Sequence, residues 1–72
     1  MVFEKVKAII EDIGIEDEIT ESSRLYDDLA LDSTELALVS TALAKAFGIF
    51  IESRVLKTYS VAQVIEAVAL KA

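Results

Sequence analysis

Apolar side chains at Val2, Phe3, Val6, Ile9, Ile10 and Ile13 recur three and four residues apart, the spacing that gathers them on one side of a helix. This predicts a first helix over about Val2 to Ile13. Gly14 follows the last periodic residue and predicts its end, because glycine takes a left-handed conformation without steric cost. The period returns at Leu36, Val39, Leu43, Ala46 and Phe47, closed by Gly48, and again at Val61, Val64, Ile65 and Val68, to about Leu70. Asp32 with Glu35, and Ser60 with Gln63, have the spacing at which a side chain and a backbone N–H cap each other at a helix start. Between these two helices, Ser53 is placed to cap a single turn through Arg54, Val55, Leu56 and Lys57. The expected fold class is all-α, with three main helices plus one short helix 3, in one domain over residues 1–72.

Residues 15–32 lose the helical period. They mix the acids Glu16, Asp17, Glu18, Glu21, Asp27, Asp28 and Asp32 with Ile15, Ile19, Leu25, Tyr26, Leu29 and Leu31. We read a long loop between helices 1 and 2, pinned by its apolar residues. A connection of this length in a small domain is commonly functional, which directs attention to where it ends, at Leu31-Asp32-Ser33.

The chemistry available to the polypeptide is narrow. It contains no cysteine and no histidine, so thiolate nucleophiles, disulfides, Cys/His zinc sites and imidazole acid–base catalysis are absent. In 72 residues there is little room for a deep walled pocket, and the chain does not read as an enzyme; no catalytic residue is assigned. A net charge of −6 opposes binding to phosphate backbones and anionic lipid surfaces, so neither nucleic acid nor membrane is an expected partner. The start lacks a basic segment followed by an apolar run, and the most apolar stretch, Leu36 to Ile51, is interrupted by Ser40, Lys45 and Gly48, so a cytoplasmic protein is expected. The acidic run lacks the glycine and closing glutamate of an EF-hand loop, and no metal site is assigned.

Ser33 stands out. It follows the long loop, lies beside an acid and opens the central helix, where unpaired N–H groups and the positive end of the helix dipole favour a phosphate ester. Position alone favours the plainer reading, in which Ser33 or Asp32 serves only as a helix cap. Phe3, Phe47 and Phe50 read as core or core-edge residues. Tyr26 and Tyr59 read as core residues too, with a place near a bound group as the alternative.

Leu29-Ala30-Leu31-Asp32-Ser33, then Phe47-Gly48-Ile49 fourteen residues after the serine, then Thr58-Tyr59-Ser60-Val61 before the last helix, together resemble the acyl and peptidyl carrier protein family over nearly the whole chain. The resemblance implies a four-helix bundle of the acyl carrier protein type. It also implies a 4′-phosphopantetheine arm on Ser33, with Asp32 as its neighbour in the motif. The arm comes from coenzyme A through a separate phosphopantetheinyl transferase, and its thiol holds an acyl or aminoacyl group as a thioester. The implied partners are that transferase, an acyl- or aminoacyl-activating ligase and downstream transferases, with the carrier itself a monomer. The chain departs from the family at Thr34, where Leu or Met is usual, and at Leu38, where fatty-acid carriers have a glutamate. These departures bear on which synthase or ligase reads the helix, leaving a fatty-acid-type carrier as an alternative to a peptidyl one. A small helical interaction module without an arm is the rival class.

Thr34, Leu38, Thr41 and Lys45 recur at helical spacing opposite the buried stripe of helix 2, and they are the expected partner-binding strip. Leu38 could instead be partly covered by Leu25 or Leu29 of the loop.

Overall fold

A computed structural model describes residues 2–71. The chain forms α1 (Val2–Asp12), α2 (Ser33–Phe47), α3 (Ser53–Leu56) and α4 (Val61–Lys71), with no strand among the described residues. Helix α2 packs against α1 and α3, and α1 against α4. The all-α expectation holds, and α1 ends one residue before its predicted limit.

The core is built from the predicted faces. Val6 and Ile10 of α1, Leu36, Val39 and Leu43 of α2, Leu56 of α3, and Val61, Val64 and Val68 of α4 are buried together. The loop adds Ile19, Leu25, Leu29 and Leu31. Each such side chain taken from water contributes about 1.5–3 kcal/mol, so these four residues anchor the loop to the helices.

Backbone hydrogen bonds fix the loop to α4. The Leu25 amide donates to the Tyr59 carbonyl at 3.0 Å, while Val61 and Ala62 donate to the carbonyls of Ser23 and Glu21, both at 2.8 Å. Those two amides open α4 and have no carbonyl above them within the helix. The Gln63 amide reaches Ser60 Oγ at 3.3 Å, and Gln63 Oε1 accepts from the Ser60 amide at 2.8 Å, the reciprocal cap that the sequence predicts. The loop therefore completes the capping of the last helix.

Helix α2 starts and stops as its sequence requires. Asp32 Oδ1 accepts from the Glu35 amide at 2.8 Å, and Glu35 Oε1 accepts from the Asp32 amide at 3.0 Å. Gly48 closes the helix at φ 73°, donating to Ala44. Just before α2, Ala30 also has a positive φ, 57°, a conformation that costs an L-residue about 1–2 kcal/mol. Hydrogen bonds from Ala30 to Tyr26 and from Leu31 to Leu25 hold it there.

Two local expectations need correction. Ala46 is exposed, and Ser40 is buried in its place on the α2 stripe. At roughly 100° per residue, Ala46 lies about 80° from Leu36, at the stripe's edge in the last turn, whereas Ser40 lies about 40° away on the other flank. Ser40 Oγ donates to the carbonyls of Leu36 at 3.2 Å and Ile51 at 2.5 Å, so its burial leaves the hydroxyl satisfied. Ser53 does not cap α3. The N-cap position belongs to Glu52, which makes no side-chain cap bond, and Ser53 is the first residue of the turn.

Candidate functional site

The loop delivers Asp32 and Ser33 to the start of α2 with distinct tasks. Asp32 and Glu35 make the cap between them, so the Ser33 hydroxyl is not needed for it. Ser33 is exposed, and its own amide and that of Thr34 belong to the first turn, which has no carbonyl above it. A free hydroxyl stands at the positive end of a fifteen-residue helix, an electrostatic setting that favours a bonded anion.

Beside it lies a cavity of about 220 Å³ lined by Tyr26, Ser33, Leu36, Ser53, Arg54 and Lys57. The loop supplies Tyr26, α2 supplies Ser33 and Leu36, and α3 with its C-cap supplies the rest. Lys57 Nζ sits 4.4 Å from the centroid of the Tyr26 ring. Arg54 Nε is 3.0 Å from Glu52 Oε2. The loop acids nearest Tyr26 in sequence are engaged elsewhere: Asp28 Oδ2 accepts from the Arg24 amide at 2.8 Å, and Asp27 Oδ2 is 3.4 Å from Arg24 Nε.

Thr34, Leu38, Thr41 and Lys45 are all exposed along the outer side of α2. Leu38 is 53% exposed, so the loop does not cover it; Leu25 and Leu29 are in the core instead. Phe50, expected at the core edge, is 68% exposed, whereas Phe3 and Phe47 pack against the core. Tyr59 also packs on the core, but Tyr26 is 44% exposed and lines the cavity.

Sequence reasoning gave no role to Arg54 and Lys57. The signal available was their three-residue spacing on a one-turn helix, which puts two cations on one side. Periodicity could not say that this side meets Ser33, because the α2–α3 contact joins segments about twenty residues apart.

A phosphopantetheine group fits these residues. They offer an exposed hydroxyl for an ester bond, two cations and a helix start for the phosphate charge, and the exposed Tyr26 ring as apolar surface for an aliphatic stem. Among the described residues, no helix is long and apolar enough to cross a membrane.

The family described as "Phosphopantetheine attachment site" matches residues 4–68, a span that includes Ser33 and every residue lining the cavity. An acyl carrier protein of Petrotoga mobilis (strain DSM 10674 / SJ95) is 43% identical over 58 residues, covering 78% of this chain and 68% of that protein. No solved structure gives a significant match.

Proposed function

The chain belongs to the acyl carrier proteins of the phosphopantetheine-attachment family, and on that premise we propose that Ser33 is the residue that bears the arm. As a member of the family it is a carrier and not a catalyst, it holds 4′-phosphopantetheine, and it works with a phosphopantetheinyl transferase and acyl-handling enzymes. The observation that carries the assignment is the division of labour at the start of α2. Asp32 and Glu35 satisfy the helix end, leaving the exposed Ser33 hydroxyl available to a transferase.

In the transfer, Ser33 Oγ would lose its proton and bond to the phosphorus that bears the pantetheine, and the pyrophosphate link of coenzyme A would break with adenosine 3′,5′-bisphosphate as the leaving group. When bound, the group supplies the thiol that the polypeptide lacks, on which an acyl group is held as a thioester. The chain's own contribution is to orient and to leave free. Helix α2 fixes the oxygen that takes the ester bond, and the outer strip of Thr34, Leu38, Thr41 and Lys45 stays open to a partner.

The finer reading is a carrier acting as a monomer in the cytoplasm, with residues 1–72 as one carrier domain. It presents an acyl or aminoacyl group from an activating ligase to downstream transferases. Residues 33–47 hold one acid, Glu35, and one base, Lys45, so this helix lacks a strong charge for docking. The exposed Leu38 supports apolar docking of the peptidyl-carrier kind over the charged docking of fatty-acid carriers.

The test is incubation with coenzyme A, magnesium and a broad-range transferase, followed by intact-mass and peptide-mass measurement. The arm's mass on the peptide containing Ser33, and its absence from Ser33→Ala, is the expected result. No gain in mass would replace the carrier with an armless interaction module.

A further inference from the structure

We infer that Arg54 and Lys57 form a cation pair that holds the phosphodiester of the arm at the cavity beside α2, an inference that rests on Ser33 being the attachment residue. Both residues line the same cavity as Ser33. They are three residues apart around the single turn of α3, the spacing that brings two side chains to one side.

Charge makes the placement informative. The chain carries −6 overall, and residues 1–32 alone hold ten acids against three bases, so like charge prevails over α1 and the loop. Against that background, two of the seven cations converge on one cavity. The acids close to Ser33 are committed elsewhere, Asp32 and Glu35 to each other's backbone amides. Glu52 meets Arg54 at Nε, which leaves the two terminal nitrogens of the guanidinium for another acceptor. Lys57 is held over the Tyr26 ring, a contact that fixes the ammonium while using none of its three N–H donors on an oxygen.

The occupant follows from tethering. A phosphodiester keeps one negative charge at neutral pH. Bonded to Ser33 Oγ, it cannot leave the neighbourhood of the cavity, whereas any anion on the carried group sits at the far end of the arm. The arm's first bonds are then directed along the α3 side of α2. Ser33 and Ser40 lie seven residues apart on that side, where Ser40 reaches the Ile51 carbonyl. The pair is therefore a positioning device, and the strip through Leu38 remains uncovered.

The test uses the full chain in apo and holo forms, each confirmed by mass, with the Arg54→Gln/Lys57→Gln variant and the charge-conserving Arg54→Lys/Lys57→Arg variant. At low salt, attachment of the arm is expected to raise the melting temperature of the parent by about 1–8 °C, the span set by exposed charge pairs in a domain of this size. The rise should vanish in the glutamine variant, return in the charge-conserving one, and disappear from the parent near 1 M salt, where the screening length is about 3 Å. The phosphorus-31 resonance of the arm should differ between parent and glutamine variant at low salt and coincide at high salt. Mass gain on Ser33, with equal melting shifts and equal phosphorus resonances in parent and glutamine variant, would overturn this inference alone. Absence of the mass gain on Ser33 would overturn the attachment reading and this one with it.

Discussion

Lys57 Nζ lies 4.4 Å from the centre of the Tyr26 ring, which joins the C-cap of α3 to the long loop at the cavity beside Ser33. A cation over an aromatic face at an exposed position contributes about 0.5–1 kcal/mol. Tyr26→Leu is expected to lower unfolding free energy by about that amount, and Tyr26→Phe, which keeps the ring, by less. Urea denaturation of the three proteins checks this, and equal loss in both variants would assign the effect to the Tyr26 hydroxyl instead.

Removing the Ser33 hydroxyl should separate function from fold. Ser33→Ala is expected to abolish loading with a nearly unchanged melt, because the cap belongs to Asp32 and Glu35. Asp32→Ala should behave in the opposite sense, costing about 0.5–2 kcal/mol of stability as the cap is lost. Mass spectrometry and circular dichroism on both variants read the two effects separately.

The outer strip of α2 can be tested at its apolar member. Leu38→Glu places a charge in solvent, since Leu38 is 53% exposed, so the melt and modification by a broad-range transferase should stay near the parent values. Loading by the cognate ligase is expected to weaken. Unchanged loading kinetics would place the docking surface elsewhere.

Ser40 ties α2 to the segment before α3 through the Ile51 carbonyl. Ser40→Ala leaves that carbonyl without its donor and is expected to cost about 1–3 kcal/mol, seen as a lower midpoint in chemical denaturation. A change below about 0.5 kcal/mol would show that water replaces the hydroxyl.

Charge is unevenly shared: residues 1–32 carry net −7 and residues 33–72 net +1. Salt or millimolar divalent cation is expected to raise the melting temperature of the apo protein modestly, by screening self-repulsion among largely exposed acids. Melting at several ionic strengths checks this, and a flat dependence would count against it.

The sequence by itself determined the helices, because their period, their caps at Asp32 and Ser60 and the stop at Gly48 are local features acting within a few residues. It determined the place of Ser33 on the same ground, as the first helical residue after an N-cap. The loop's apolar residues were legible as anchors, but their partners were not. That Ser23 and Glu21 would cap α4 depends on a hydrogen-bond pairing between distant segments. Only the tertiary structure decided that Ser40 is buried while Ala46 is not, because stripe-edge positions are assigned by the neighbour that packs on them. The same holds for Phe50, left in solvent by an irregular segment with no period to orient it. It holds too for the cavity that brings Tyr26, Arg54 and Lys57 to Ser33: three short segments meet there through the packing of α2 on α3, a relation that no spacing along the chain encodes.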